Sequence, residues 1–321
     1  MRRGNKGKKH TRTHSSSLSV VTNSSGKFDP RAALSVEQNE TLNEFISRLQ
    51  AEGLTEKESK FCDEACLLRY LRARDWDSTK ANKMLRDTLQ WREDFKPELI
   101  SAEHLTQEAS SGKMYRRGVD KFGRPVIFMS PGKENSTDYV KNVKLLVYTL
   151  ERAVDNMPDG VEQMTWLIDF NGYSRKNNLP YGVCMEVLGI LSNHYPERLG
   201  SCFMVDTPWL FSLSWKAISP FVNPVTKSKL NFVSGSADAK RELLGKFFDL
   251  TQLDKKYCGD VNFEFSSDVY WKNEIEMDNA RIQRNGLVIP AESSMKQIVG
   301  KGLEGDWPEE VEDSLPEQEA N

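Results

Sequence analysis

The apolar positions that follow residue 33 recur three and four residues apart, which is the period of an amphipathic helix. Polar residues fill the opposite side of each stretch, so we expect a small all-helical unit of three or four helices over residues 34–105. The apolar faces consist of Leu42, Phe45, Ile46 and Leu49 in a first helix, Leu67, Leu68 and Leu71 in a second, and Ala81, Met84, Leu85, Thr88 and Leu89 in a third.

Side chains that can cap these helices stand at their expected starts. Two pairs in the first helix, Ser35–Gln38 and Thr41–Glu44, have the spacing of a capping box. Asp63 can cap the second helix, and Asp77 or Ser78 can cap the third.

The pattern changes after about residue 110, where short apolar runs alternate with helical stretches. This alternation predicts an α/β fold with a mostly parallel sheet and right-handed crossovers. The predicted strands lie at 125–130, 164–170, 202–206 and 230–233, and the predicted helices at 140–154 and 181–195.

The segment 209–221 differs from the other helical stretches because it is apolar on nearly every side. Such a helix is either buried in a core or forms an adhesive surface. In the second case it can be a movable lid, or gate, over an apolar cavity that touches a membrane when it opens. Its large apolar residues are Trp209, Leu210, Phe211, Leu213, Trp215, Ile218 and Phe221.

Charge is polarised along the chain of 321 residues, whose net charge is −3. The balance argues against a nucleic-acid-binding surface. Residues 1–14 carry six basic residues and no acid, and 303–321 carry eight acids and no Lys or Arg. We expect residues 1–33 and the end of 271–321 to be disordered, with the basic tail either solvated or weakly attracted to anionic lipid.

No motif for catalysis or for a metal stands out. The chain lacks a nucleophile elbow, a phosphate-binding loop and a zinc-protease helix. Its five Cys are scattered, and Cys62 and Cys66 have no second pair to complete a zinc site. No run is apolar for the roughly 18 residues that a membrane helix needs. Since no apolar segment follows the basic N-terminus, we expect no secretory signal. We expect a reduced cytoplasmic protein without catalytic residues, metal or cofactor.

Five motifs in the correct order resemble the CRAL-TRIO family, and together they span about residues 61–271. The resemblance implies a helical N-terminal domain at 34–105 and a lipid-binding domain at 106–270 whose sheet forms the floor of an apolar cavity. The motifs are LLRYLRAR at 67–74, DKFGRPV at 120–126, LIDF at 167–170, HYPERLG at 194–200 and PFVNPVTKSKL at 220–230.

Within the family, the chain resembles the phosphatidylinositol-transfer branch. The four polar residues that hold the inositol phosphate headgroup in that branch fall on Arg74, Glu197, Thr226 and Lys229. Arg and Lys can bind phosphate, and Glu and Thr can bind inositol hydroxyls. A carboxylate in a cavity needs a partner, so we expect Arg74 or a neighbour to offset Glu197.

The positions that serve phosphatidylcholine in related carriers differ here. Two tyrosine positions are Arg116 and Ile127, and of two hydroxyl positions one keeps Ser174 while the other is Lys176. Exchange of phosphatidylcholine is therefore not expected, although Ser174 can still contact a second lipid. Asp75 also stands where relatives often have a basic residue, which weakens the expected contact with an anionic membrane.

The resemblance implies a non-enzymatic carrier that binds phosphatidylinositol, exchanges it at cytoplasmic membrane surfaces and associates transiently with internal membranes. A phosphoinositide kinase is a possible partner to which the lipid is presented. Two alternatives stay open, a carrier of a sterol or another hydrophobe, and a scaffold that uses the same fold to bind proteins.

Overall fold

The computed structural model describes residues 28–291, and its first part consists of four helices. They are α1 (Val36–Glu52), α2 (Glu56–Phe61), α3 (Glu64–Ala73) and α4 (Ser78–Phe95). The tails expected to be disordered lie mainly outside the described residues. The all-helical prediction for this part of the chain is confirmed.

The capping prediction is confirmed at three helices. Ser35 and Gln38 form a capping box at α1, while Asp63 and Asp77 cap α3 and α4. The alternative start at Thr41 is wrong, since Thr41 lies inside α1 and its hydroxyl donates to the Glu37 carbonyl at 2.9 Å.

Helix α2 was not predicted. It has six residues, none of them buried, and therefore shows no apolar face. Its signal is a capping box between Thr55 and Glu58.

The four helices enclose one apolar cluster in which the predicted helix faces meet. Side chains from α1, α3 and α4 fill it and are almost completely excluded from solvent, as their spacing predicts. Its buried members include Leu42, Phe45, Leu49, Leu67, Leu68, Leu71, Ala81, Met84, Leu85 and Leu89.

Five strands form one sheet in the order β1-β2-β3-β4-β5. The first pair is antiparallel and the other three pairs are parallel, so the mostly parallel sheet is confirmed. The strands are β1 (Met114–Val119), β2 (Pro125–Met129), β3 (Met164–Asp169), β4 (Leu199–Val205) and β5 (Leu230–Val233).

Two strand assignments needed correction. Strand β1 was missed because its MYRRGV sequence contains two arginines and a glycine, which obscure the apolar pattern. Strand β4 begins at Leu199 instead of residue 202, since Gly200 and Ser201 hide its first half.

Helices surround the sheet and connect its strands. Short 3₁₀ turns lie at Pro97–Leu99, Ala102–Leu105, Pro131–Lys133, Arg175–Asn177 and Lys255–Tyr257, and another one follows α7 at Ser219–Phe221. The helices are α5 (Tyr139–Asp155), α6 (Tyr181–His194), α7 (Trp209–Ile218), α8 (Pro224–Ser228), α9 (Ala237–Gly245) and α10 (Ser267–Asn285).

Helix α10 carries polar residues into the core. Glu274, Asp278 and Arg281 are buried beside Trp271. The Glu274 carboxylate accepts from the Arg116 guanidinium at 2.7 Å, and Asp278 accepts from the backbone N–H of Ala102 at 2.9 Å. Because charged residues occupy its buried positions, the hydrophobic pattern did not reveal this helix.

The two sides of the sheet are covered unequally. One side, called the packed face, buries Val126, Phe128, Leu167, Phe203, Val205 and Val233 against the chain from α9 to residue 257. On the other side, α5 lies against β1 and β2 in a cluster that includes Ile127 and Met164, whereas the part formed by β3, β4 and β5 is incompletely covered. This part, called the open face, carries Trp166, Ile168, Cys202, Met204, Leu230 and Phe232.

Candidate functional site

The open face is an apolar floor in which several side chains are only partly buried. Cys202 and Met204 on β4 are buried, but Trp166 and Ile168 on β3 are only partly buried. On β5, Leu230 is partly buried and Phe232 is 50% exposed. Since side chains of this size normally lie in a core, the floor is suited to an apolar ligand.

Helix α7 lies over this floor without burying any of its own residues. Its Phe211 ring contacts Phe170 with centroids 4.6 Å apart, and Trp215 meets Phe232 edge-on at 6.4 Å. The buried-core alternative for this segment is therefore wrong. Its large residues range from partly buried Leu210, Phe211, Trp215 and Ile218 to exposed Leu213, Phe221 and Trp209, the last at 70%.

Helix α6 is firmly held at one end. The Thr88 hydroxyl of α4 donates to the Asn193 carbonyl at 3.0 Å, and the rings of Trp91 and His194 stack with centroids 4.3 Å apart. At the other end, Tyr181 is exposed. Burial raises the pKa of the Glu186 carboxyl, which lies midway along this apolar helix.

A polar site lies at the edge of the sheet where β4 and β5 begin. Glu197 stands two residues before β4, and Lys229 immediately before β5. The Lys229 ammonium lies 3.6 Å from a Glu197 carboxylate oxygen, with the side chains 18% and 29% exposed. This distance exceeds that of a well-formed hydrogen bond, so both groups keep bonding capacity for a ligand.

Local backbone geometry positions this pair. Glu197 has φ 58°, in the left-handed region that is uncommon for residues with a side chain. Lys229 ends α8, and its N–H donates to the Thr226 carbonyl at 3.0 Å. Its own carbonyl accepts from the Cys202 N–H at 2.9 Å, which ties the turn to β4. The structure thus brings three of the four predicted headgroup residues to the starts of β4 and β5.

Arg74 differs from the other three. It ends α3, and its guanidinium donates to the Ala73 carbonyl at 3.0 Å. Within residues 28–291 it has no ion pair with Glu197, so Lys229 is the neighbour that offsets this carboxylate.

Two of the positions expected to differ from phosphatidylcholine carriers, Arg116 and Ile127, are engaged in the protein's own packing. Arg116 is bound by Glu274 of α10, and Ile127 is completely buried. The Ser174 hydroxyl donates to the Asn177 side chain at 2.8 Å, and Lys176 is exposed.

The structure also identifies a residue that the sequence interpretation overlooked. Trp166 lies within the run MTWLIDF, which we interpreted only as a buried strand. The period-two pattern of a strand, applied to this run, would place Trp166 and Ile168 on one face. It could not reveal that this face is incompletely covered, because that depends on distant segments.

Two further properties concern only residues 28–291. No set of His, Cys, Asp and Glu side chains in this stretch could hold a metal ion. None of its helices combines the length and apolar character that a membrane crossing requires.

Comparison with known proteins identifies two matching domains. Residues 109–259 match the CRAL/TRIO domain, and residues 40–87 match the CRAL/TRIO N-terminal domain. The crystal structure of Sfh5 resembles this fold with a TM-score of 0.54 at 16% identity, covering 79% of this chain and 99% of that one.

Three yeast proteins are among the relatives that this chain resembles in sequence. Phosphatidylinositol transfer protein PDR17 of Saccharomyces cerevisiae is 31% identical, and the match covers 76% of this chain and 72% of that protein. SEC14 cytosolic factor of Candida glabrata is also 31% identical, and the match covers 69% of this chain and 78% of that protein. A CRAL-TRIO domain-containing protein of Schizosaccharomyces pombe is 36% identical over 71% of this chain, which spans only 22% of that longer protein.

Proposed function

The chain belongs to the CRAL-TRIO family of lipid-binding and lipid-transfer proteins, and from this premise we propose that it binds phosphatidylinositol and transfers or presents it at membrane surfaces. The observation that carries the proposal is the Glu197–Lys229 pair, which stands at the edge of the apolar open face. A phosphatidylinositol molecule has a matching layout, with an anionic polyhydroxyl headgroup joined to two apolar chains.

The charges of the pair suit the two parts of the headgroup. The Lys229 ammonium can donate to the phosphodiester, and the Glu197 carboxylate can accept from inositol hydroxyls. Thr226 supplies a hydroxyl one turn earlier. Arg74 donates through one nitrogen to the Ala73 carbonyl, so most of its guanidinium donors are available to a phosphate.

The open face suits the acyl chains. Exposing a methylene to water costs about 0.8 kcal/mol, so two chains must be enclosed during transfer. Helix α7 can serve as the gate, because no buried side chain of its own anchors it. Its exposed Trp209, and the exposed Phe221 that follows the helix, are residues that favour a membrane interface, where an opening gate would find another apolar phase.

The wider proposal follows the family premise. The division at residue 105 separates a helical N-terminal domain from the lipid-binding domain, and the protein acts at the cytoplasmic side of internal membranes without making or breaking bonds. The partner that receives the lipid is the membrane itself or a phosphoinositide kinase.

A second candidate is the carriage of another lipophile, such as a sterol. The extent of exposed apolar surface favours it, since Phe232 and α7 would accommodate any hydrophobe. The polar pair at the sheet edge favours phosphatidylinositol, because a sterol has no anionic group for Lys229.

Mass spectrometry of lipids extracted from the purified full chain tests the proposal directly. We expect phosphatidylinositol from the wild type, and Lys229→Ala should lower its recovery at least about tenfold through loss of a charged hydrogen bond. Lys227→Ala is the matched control, since Lys227 lies exposed on the same short helix. Transfer between vesicles should fall in parallel with recovery.

The other outcomes assign the other functions. A sterol or other hydrophobe that is recovered equally from wild type and Lys229→Ala would replace the proposal with the second candidate. Absence of any lipid would favour a scaffold, and equal phosphatidylinositol recovery from an Arg74→Ala/Lys229→Ala variant would refute the headgroup site.

A further inference from the structure

The indole nitrogen of Trp166 is a buried donor that lacks a hydrogen-bond partner in the described part of the chain. Buried polar atoms are nearly always paired, because an unpaired one loses its bonds to water without replacement. Trp166 lies in the middle of β3, where the floor of the open face should otherwise be apolar. Its N–H is therefore an unsatisfied donor in this floor, which a ligand reaches by displacing the side chains that cover it.

Strand register places this nitrogen relative to the headgroup site. Trp166 pairs with Cys202 on β4, and Cys202 pairs with Leu230 on β5. The three residues form one row across the open face, and Lys229 directly precedes the last of them. With strands about 4.8 Å apart, the Cα atoms of Trp166 and Leu230 are separated by roughly 10 Å.

Trp166 also stands at the boundary between the covered and the open parts of this side of the sheet. It packs against the cluster that contains α5 and α6 and against the smaller cluster of Phe170, Cys202 and Met204. The other two members of its row, Cys202 and Leu230, offer no strong donor. Trp166 is consequently the residue of this row that can bind an oxygen acceptor.

The row of Trp166, Cys202 and Leu230 would lie beside the glycerol part of a bound glycerophospholipid. Below the phosphate, the next polar groups are the two ester carbonyls of the glycerol, which accept hydrogen bonds but do not donate. A phosphate at Lys229 would bring these carbonyls to the first row of the open face. We propose that the Trp166 indole N–H donates to an acyl ester carbonyl of the bound lipid, an inference that rests on the proposed phosphatidylinositol function.

Such a contact would select the type of linkage between glycerol and chain. An ester supplies the carbonyl oxygen, whereas an alkyl ether of the same length supplies none. The indole of the wild type would remain unpaired beside the ether, so a diacyl lipid should bind about tenfold more tightly than its dialkyl counterpart.

Competitive loading of diacyl and dialkyl-ether phosphatidylinositol, with equal chain length, tests this inference in the full chain. Trp166→Phe keeps an aromatic ring and removes the N–H, so its preference for the ester should disappear. Trp271→Phe is the matched control, because its indole nitrogen is likewise unpaired but lies in α10, which contributes no residue to the cluster at the open face. That variant should keep the wild-type preference.

A spectroscopic measurement separates a direct contact from an indirect effect. In protein labelled with ¹⁵N at tryptophan, the indole proton signal that Trp166→Phe removes should move downfield with the diacyl lipid and much less with the dialkyl lipid. An unmoved signal, or an ester preference that persists in Trp166→Phe, would overturn the contact. Equal loading of both lipids in the wild type overturns only this inference, whereas failure to load either also overturns the proposed function.

Discussion

Helices α5 and α7 lie on the same side of the sheet but differ in how they are held. Ten of the 17 residues of α5 are buried, and two of its charged groups, Glu151 and Arg152, pair with Arg92 of α4 and Asp278 of α10. Glu151 accepts two hydrogen bonds from Arg92 of α4, both at 3.0 Å, and one from the Tyr195 hydroxyl at 2.7 Å. Helix α7 has ten residues and buries none of them.

The ends of the two helices differ as well. Asp138 caps α5 by accepting from the Lys141 N–H, whereas α7 follows Pro208 and has no side-chain cap. An uncapped helix that lacks buried residues has little to hold it in one position. On this side of the sheet, α5 is therefore a fixed wall, and α7 is a removable cover.

Removal of the Glu151 charge, which anchors the wall, should cause the largest loss of unfolding free energy. Glu151→Ala leaves the buried Arg92 guanidinium without its main partner, so the free energy of unfolding should fall by about 3–5 kcal/mol. In the cover, Leu213→Ala should lower it by about 1 kcal/mol or less, because Leu213 is already 38% exposed. Urea unfolding followed by circular dichroism measures both values.

Equal losses in the two variants would contradict the distinction between wall and cover. Lys83→Ala supplies a baseline on α4, since its pair with Asp87 is exposed to solvent. This control should remain close to the wild type.

Acid should weaken the Glu151–Arg92 pair as well. The loss of unfolding free energy should be somewhat smaller than in Glu151→Ala. Burial alone would raise the pKa of Glu151, but the Arg92 charge and the hydrogen bonds from Arg92 and Tyr195 outweigh burial and lower the pKa to about 2. A lowered folded-state pKa gives stability that is complete above the ordinary value of 4.5 and is lost as the pH falls toward about 2.

Comparison with Glu151→Gln isolates this contribution from the other carboxylates. The unfolding free energies of wild type and variant should differ most above pH 4.5, and the difference should shrink by on the order of 3 kcal/mol as the pH falls to 2. A difference that stays constant over this pH window would show that Glu151 titrates normally in the folded protein.

The sequence predicted the wall better than the cover. The face of α5 was readable from residues such as Val143, Val147 and Leu150, because a helix that packs on one side repeats its apolar residues at helical spacing. For segment 209–221 the composition allowed two alternatives, since apolarity alone does not determine what covers a helix. Helix α10 was hidden for the opposite reason, because buried Glu274 and Asp278 have polar partners on distant segments.

Prediction from the sequence was also limited at the candidate site. The motifs placed Glu197 and Lys229 in one headgroup site, which stays a prediction, and the structure puts their charged groups 3.6 Å apart beside the starts of adjacent parallel strands. They could not predict that Arg74 would bind the Ala73 carbonyl in this structure, since a long side chain at a helix end has several alternatives. Its role in headgroup binding stays a prediction.

The smallest effect that we expect concerns the outer surface of the cover. Trp209 is 70% exposed on α7, so Trp209→Ala should leave the free energy of unfolding within about 0.5 kcal/mol of the wild type. If α7 touches the membrane, the same change should weaken sedimentation with phospholipid vesicles by about 1 kcal/mol, or roughly fivefold, because the indole ring no longer enters the interface. Phe122→Ala is the control, since Phe122 is an exposed aromatic residue that packs against Phe247 toward the packed face. Equal weakening by both variants would mean that vesicles bind exposed aromatic residues without preference for α7, and the cover would then have no special relation to the membrane.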